Sequence, residues 1–471
     1  MSHQASPAQE STEPHQPAAT QREVFATGLG VMAATLGSAV GLGNIWKFPS
    51  LVGQYGGAAF ILLYLICVAL VGLPVLISEL VIGRHSHANA VSAVKKIAPR
   101  QPWYLVGVAG VAAAVIIMAF YTDVAGWVYA YVGKAACGAL SVPADQTVAI
   151  FDSLIQSPAT VLFWQWVVIG VAAVIISAGV SNGIERVTKR LMPLLFALLI
   201  ICNIRALTLP GASKGLAFLL KPDFSNLTST AVLAALGLAF FKLSLGMGTM
   251  ITYGSYMPDN ANIPATATKV ALADILVSLL AGLAIFPAVF AFGYEPSVGP
   301  SLLFITIPSV FASMPFGGLF TFLFFVLTAV AALGAILSLF EVPVSYLSET
   351  RGWTRRKAAL LTALIIIALG IPASLSTNLL SSFTIFGMTF FDLCDFISSN
   401  ILLPGGGIVI ALFVGWRWGK QEVLAAVSNH GQLQNQRMTS AMIGMLRVFT
   451  PVAIAIVMLD GLGLLGKIFG S

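Results

Sequence analysis

About eleven strongly apolar stretches follow one another along this chain, at residues 25–50, 58–82, 103–136, 160–178, 187–209, 230–256, 267–293, 317–349, 356–374, 387–415 and 443–468. An α-helix needs ~20 residues to cross the hydrocarbon of a bilayer, and most of these stretches reach or exceed that length. None shows the one-in-two alternation of a barrel strand. Each must close its own backbone hydrogen bonds as a helix, because lipid offers no partner. With 58% hydrophobic and 9% charged residues, the chain is not a soluble domain. The expected fold class is all-α: a polytopic membrane protein with about eleven transmembrane helices.

Residues 1–21 are rich in Ser, Gln, Pro and Ala and hold no apolar run, which predicts a disordered tail and not a signal peptide. The net charge of +6 is concentrated in short loops. Arg84, Lys95, Lys96 and Arg100 follow the second stretch; Arg186, Lys189 and Arg190 the fourth; Lys269 the sixth; Arg351, Arg355, Arg356 and Lys357 the eighth; Arg417, Lys420 and Arg437 the tenth. The opposite loops are poorer in such residues, although Lys214 and Lys221 sit there. The positive-inside rule then places the N-terminus in the cytoplasm. This charge is what topology requires, so the expected partner is the lipid bilayer and not nucleic acid. Cys67, Cys137, Cys202 and Cys394 show no metal spacing and no disulfide framework.

Two of the helices carry an interruption. Gly37, Gly41 and Gly43, followed by Asn44, fall in the middle of the first stretch. Each glycine in a helix interior is unfavourable by roughly 1 kcal/mol. From this segment alone, a packing face of small residues and a break lining a cavity are both open. The sixth stretch holds a second interruption, Phe240-Phe241-Lys242-Leu243-Ser244-Leu245-Gly246-Met247-Gly248. The two stand five crossings apart, so they enter the membrane from opposite sides, which is the pattern of an inverted repeat with a binding site at the paired breaks. The expected organisation is a cytoplasmic tail at 1–21, a first repeat of helices 1–5 at 22–209, a second of helices 6–10 at 210–417, and a cytoplasmic loop with helix 11 at 418–471.

With both interruptions in view, the chain closely resembles bacterial members of the neurotransmitter:sodium symporter family. Ala39-Val40-Gly41-Leu42-Gly43-Asn44 with Lys47-Phe48-Pro49 is similar to its first-helix motif, and Phe241 to Gly248 to its sixth. Glu341-Val342-Pro343 and Ser398-Ser399-Asn400-Ile401-Leu402-Leu403-Pro404 match the bacterial branch, and the resemblance runs from about residue 22 to the end. It implies a transporter of the bacterial inner (cytoplasmic) membrane with an occluded amino-acid site. The substrate carboxylate would meet the N–H groups of Leu42 and Gly43 and the hydroxyl of Tyr121. The amine would meet the carbonyls of Ala39 and Phe241 and the hydroxyl of Ser244. Phe241 and Tyr121 would form the outer lid, and Ile117, Met247 and Leu339 would line the side-chain pocket. Gly41 stands where amine-transporting members place an Asp, which implies a substrate that brings its own carboxylate. The outer gate would pair Lys47 with Asp395, and the inner gate Arg22 with Glu349.

The resemblance also implies two sodium sites, and this chain departs from both. The first would use Ala39, Asn44, a hydroxyl at the position of Lys242, and Asp274. An ammonium donates hydrogen bonds and cannot ligate sodium. Lys242 is expected to act instead as an internal cation paired with Asp274, the alternative being that it reaches toward a water-filled vestibule. The second would use carbonyls of Gly37, Val40 and Ala331 and two hydroxyls in the eighth helix, which fall on Gly334 and Ala335. Loss of two of about five oxygen ligands should weaken a hard-cation site greatly; the nearest hydroxyl, Ser338, is one turn further on. Tyr64 and Ser278 match two positions of the chloride-dependent branch, but Leu238 and Lys242 do not. Lys242 and Asp274 are the candidate proton carriers; Asp123, a third intramembrane carboxylate, ranks below them, with a structural or water-contacting role as its alternative, and Glu79 is expected to cap internal hydrogen bonds.

The expected function is a secondary transporter of a neutral amino acid, working by alternating access, with sodium-independent or proton-linked coupling. An ordinary sodium-dependent symporter is the first alternative, and a non-transporting amino-acid sensor or scaffold the second. No cofactor is expected, and sodium is left open. No Ser/His/Asp grouping, metal cluster or phosphate loop suggests an enzyme.

Overall fold

The computed structural model describes residues 23–143, 146–294 and 299–465. The tail expected to be disordered at 1–21 lies outside these residues. The first helix, α1 (Gly28–Ala39), starts at Thr27, whose hydroxyl accepts the Gly30 N–H at 2.9 Å. That bond satisfies one of the N–H groups a helix start leaves unpaired. The chain leaves helical geometry at Val40 and resumes in α2 (Gly43–Gln54), bent by 51°. The Asn44 side-chain oxygen accepts the Gly41 N–H at 3.1 Å, so the break closes partly on its own side chain.

The chain continues through α3 (Ala58–Ser86), α4 (Ala90–Ile97), α5 (Pro102–Ala136), α6 (Thr147–Ile155), α7 (Pro158–Ser177), α8 (Val180–Leu207) and α9 (Ala212–Leu220). The sixth apolar stretch is divided into α10 (Ser229–Lys242) and α11 (Thr249–Gly254). Then follow α12 (Ile263–Ala291), α13 (Leu302–Ala312), α14 (Gly317–Arg351), α15 (Arg355–Leu375), α16 (Phe390–Arg417), α17 (Lys420–Val427) and α18 (Gln436–Gly461). Among the described residues, nine helices are long and apolar enough to cross a bilayer, and the bent pair α1–α2 makes a tenth. The expected eleventh is the α10–α11 pair, neither half of which spans alone. Helices α4, α6, α9, α13 and α17 lie in the connections; their short length carries no span-like signal in the sequence.

The second break is built from left-handed backbone. Ser244, Gly246 and Gly248 have φ of 54°, 77° and 77°. A β-carbon on Gly246 would collide with the Leu403 carbonyl of α16, so only glycine fits there. The freed Gly246 N–H donates to Glu79 Oε1 on α3 at 2.7 Å. Through the centre runs α14, packed against α1, α5, α7, α8 and α15. Every residue from Thr328 to Ser345 is buried, which is why this stretch is apolar on all its faces.

Candidate functional site

The breaks at Val40–Leu42 and Leu243–Gly248 lie side by side. Around a cavity of about 30 Å³ they bring together Ala39 and Gly43 of the first break, Phe241, Ser244 and Met247 of the second, Ile117 and Tyr121 of α5, and Leu339 of α14. Leu42 contributes its backbone: its N–H donates to the Tyr121 hydroxyl at 2.9 Å. A β-carbon on Gly41 would lie 2.7 Å from that hydroxyl and 2.9 Å from Ala335 Cβ, so no side chain fits at this position. Ser244 Oγ donates to the Ser38 carbonyl at 2.9 Å and lies 3.3 Å from Ser38 Oγ. Ser38 also lines the cavity. Reasoning from the sequence assigned it no role, although it sits beside Ala39 in the first motif.

Beside Asn44 and Asp274, expected in the first ion site, lies the Lys242 ammonium. Lys242 Nζ lies 3.0 Å from Asp274 Oδ2, with both side chains fully buried. It also donates to the Tyr64 hydroxyl at 2.9 Å and to Ser278 Oγ, and lies 4.8 Å above the Phe48 ring. The Asn44 amide is committed as well. Its oxygen accepts from Gly41, while its Nδ2 donates to Asp274 Oδ1 at 2.6 Å and to Ser278 Oγ at 3.0 Å. Lys242 therefore does not reach toward a vestibule; Tyr64, Asn44, Asp274 and Ser278 form one buried network around its charge.

At the second expected ion position, α1 and α14 meet backbone to backbone. A β-carbon on Gly334 would stand 2.6 Å from the Gly37 carbonyl oxygen. Val40, Ala331 and Ala335 are buried at this junction. Ser338 Oγ donates to the Ala335 carbonyl of its own helix at 2.8 Å, so it is engaged locally.

Above the cavity, Phe241 packs over Gly43, and Phe120, Tyr121 and Phe391 close a second small space around Lys47 and Asp395. Lys47 Nζ lies 3.7 Å from Asp395 Oδ1 and 4.1 Å from the Phe241 ring centre. Beyond this lid a cavity of about 370 Å³ opens between α2, α10, α16 and α18. On the other side, the segment before α1 is clamped. Glu185 accepts the Ala26 N–H at 2.7 Å and the Thr27 hydroxyl at 2.9 Å, and pairs with Lys189 at 2.5 Å. Glu23 accepts the Val180 N–H and lies 4.0 Å from Arg355, which grips Glu341 through both terminal nitrogens. Glu349 accepts the backbone and side-chain N–H groups of Asn89, both at 2.9 Å; Arg22, its expected partner, lies outside the described residues. The Glu185 clamp was not foreseen, because a glutamate flanked by loop charges carries no distinguishing signal.

The model of the sodium:neurotransmitter symporter family matches residues 22–146 and 145–463. An uncharacterized sodium-dependent transporter of Bacillus subtilis is 43% identical over 94% of this chain and 98% of its own length. A second uncharacterized sodium-dependent transporter, from Haemophilus influenzae, is 39% identical over 84% of this chain and 89% of its own. Among solved structures, that of MhsT in complex with L-phenylalanine aligns over 93% of this chain and all of that one, with a TM-score of 0.87 and 44% identity. The chain therefore belongs to the sodium:neurotransmitter symporter family, whose members are secondary transporters and not enzymes.

Proposed function

We propose that this chain carries a neutral amino acid across the cytoplasmic membrane by alternating access, with the Lys242–Asp274 pair standing in place of a sodium ion at the first ion position. The carrying observation is the buried ammonium held by Asp274, Tyr64 and Ser278. A sodium ion there would need the oxygens that Lys242 and the Asn44 amide already engage. The close approach of Gly334 to Gly37 removes room and ligands at the second position. The structure of a 44% identical relative with L-phenylalanine supports an amino-acid substrate.

In this reading the substrate carboxylate enters between Leu42 and Tyr121, taking up the N–H groups of Leu42 and Gly43 at the start of α2, where a helix favours negative charge, and the Tyr121 hydroxyl. The amine takes the carbonyls at the ends of α1 and α10 (Ala39 and Phe241) and the Ser244 hydroxyl. The apolar side chain lies among Ile117, Met247, Ala335 and Leu339. The 30 Å³ cavity must widen to admit it, and Met247 is the most adaptable of these walls. The face at which α1 begins is cytoplasmic, by the loop charges. The Glu185 clamp on Ala26 and Thr27 closes that side, and Phe241 with Lys47–Asp395 closes the other. Coupling is sodium-independent or proton-linked, with Lys242 and Asp274 able to exchange a proton between them.

Ordinary sodium symport is the second reading, favoured by the description of both relatives as sodium-dependent transporters. The two are separated by uptake of an amino-acid panel into liposomes, with sodium present or replaced by choline, at two external pH values. The proposal expects uptake to persist in choline. Abolition of uptake without sodium, with no response to pH, would establish the second reading.

A further inference from the structure

Two buried carboxyls take no part in the mechanism above: Glu79, whose Oε1 accepts the Gly246 N–H of the second break, and Asp123. Asp123, on α5 two residues beyond Tyr121, is fully buried. Its Oδ1 accepts the Ser374 hydroxyl of α15 at 2.8 Å. Among the described residues its Oδ2 has no hydrogen-bond partner, and no ion pair reaches it. Two other buried atoms nearby share that condition. The Trp127 indole N–H, one turn along α5, lies close to the carboxyl without a well-formed bond. Gln165 Oε1 of α7 is also unpartnered, while its Nε2 donates to the Ala119 carbonyl at 3.1 Å and to Thr122 Oγ at 3.3 Å.

Such a carboxylate cannot stay ionised without a compensating charge. The helices pack closely around Gln165. A β-carbon on Gly126 would lie 2.9 Å from the Gln165 backbone nitrogen, and one on Gly370 would lie 3.0 Å from Gln165 Cδ. A proton on Oδ2 neutralises the carboxyl without a metal ion.

Among the described residues no neighbouring cation offers an alternative; the charge on α6, which packs Phe151 on Trp127, is the anion Asp152. α7 carries no titratable side chain. α15 carries only Arg355, Arg356 and Lys357 at its start, about 25 Å from Ser374 at 1.5 Å per residue. On α16, Asp392 is held by Thr389 and Asp395 pairs with Lys47, Cys394 is a thiol, and Arg417 ends the helix. On α5 itself Tyr121 bonds Leu42 and Tyr131 bonds the Phe304 carbonyl, while Tyr129 and Lys134 lie further along. On α14, Glu341 is gripped by Arg355 and Glu349 by Asn89; Tyr346 and Arg351 lie toward the far end of that helix from the lid.

The cluster sits directly behind the lid. Phe391 of α16 packs against Phe120 at 5.5 Å and stacks on Trp127 at 6.3 Å, and its N–H donates to Ser376 Oγ, two residues beyond Ser374. We propose that Asp123 is a proton-binding site, separate from the substrate cavity, that takes its proton from the outer aqueous side while Phe391 is lifted and must hold it before the lid closes. The proton passes from water to Oδ2 while the lid is open, is held through closure, and returns to water on reopening. This rests on the alternating-access reading, but not on which ion drives the cycle.

The test uses purified full-length protein in two arms. Infrared spectra in H₂O and D₂O at neutral pH are expected to show a protonated-carboxyl C=O band that Asp123→Asn removes and Ser374→Ala shifts. Amino-acid affinity, measured between about pH 6 and about pH 8, is expected to fall by up to about tenfold per pH unit in the wild type and to be flat in Asp123→Asn. Absence of the band overturns the proposal, as does no shift in Ser374→Ala. A pH dependence that survives Asp123→Asn and vanishes in Lys242→Met also overturns it, moving the proton to the ion pair. Failure of the transport reading would show separately, as no binding of any amino acid at any pH.

Discussion

Lys242 and Asp274, 32 residues apart on α10 and α12, meet at 3.0 Å with neither side chain exposed to solvent. A buried pair of this kind contributes little net stability against an apolar replacement, but removing one partner strands the other charge, at a cost of about 3–5 kcal/mol. Lys242→Met and Asp274→Leu are therefore each expected to destabilise the protein by that order, while the double variant recovers most of the loss. Thermal unfolding of the four proteins in detergent checks this. Additive losses in the double variant would mean that the two charges do not neutralise each other.

The Gly37–Gly334 contact makes a different demand. Gly334→Thr places a β-carbon 2.6 Å from a carbonyl oxygen, so it is expected to cost about 1–3 kcal/mol by overpacking. Even with Ala335→Ser and Lys242→Thr, a sodium response requires α1 to move away from α14. The readout is thermal stability with and without sodium. A triple variant stabilised by sodium at no initial cost would show that the contact is soft.

Tyr121→Phe removes the hydroxyl that meets Leu42 N–H at 2.9 Å. One hydrogen bond to a charged group is worth about 1.5–3 kcal/mol, so amino-acid affinity is expected to fall roughly tenfold or more. Gly41→Ala pushes the same hydroxyl aside by contact and should fall at least as far. Equilibrium binding of a labelled amino acid reports both.

Lys47 and Asp395 are about one-third exposed and 3.7 Å apart. Such pairs contribute under about 1 kcal/mol and weaken with salt. Lys47→Arg can add a second parallel hydrogen bond, and is expected to slow release of bound substrate to the outside a few-fold, an effect that added salt reduces. Identical release rates at low and high salt would remove this pair from the gate.

Glu185→Gln weakens the hold on Ala26, Thr27 and Lys189. Loss of about 1.4 kcal/mol shifts an equilibrium tenfold, so the cytoplasmic side is expected to open more often. A cysteine introduced by Ser38→Cys should then be labelled roughly tenfold faster from that side. Unchanged labelling would place the latch elsewhere.

Much of this was legible in the residues. The span boundaries at 58–82, 103–136 and 317–349 lie within a few residues of α3, α5 and α14, because length and continuous apolarity are local properties. The breaks were legible as a pair: glycines at 41, 246 and 248 disfavour helix and mark them, whereas Gly37 and Gly43 lie inside α1 and α2. The pairing of Lys242 with Asp274 was expected from the chain's departure from the family pattern, and the geometry adds Tyr64, Ser278 and the orientation of Asn44. Ser38, Phe391 and the Glu185 clamp carried no such signal. Each gains its meaning from a contact made more than 150 residues away, as Glu185 does with Ala26 and Ser38 with Ser244.

The sequence by itself determined that this chain crosses a membrane many times and that two of its helices are interrupted, since lipid forbids open backbone and glycine weakens helix regardless of context. Only the tertiary structure decided what faces those interruptions. It turned Lys242 inward onto Asp274, closed α1 onto Gly334, and buried Asp123 against Ser374 of a distant helix. These outcomes depend on how distant helices approach one another, and on the rule that a charge removed from water must find its partner wherever packing brings one.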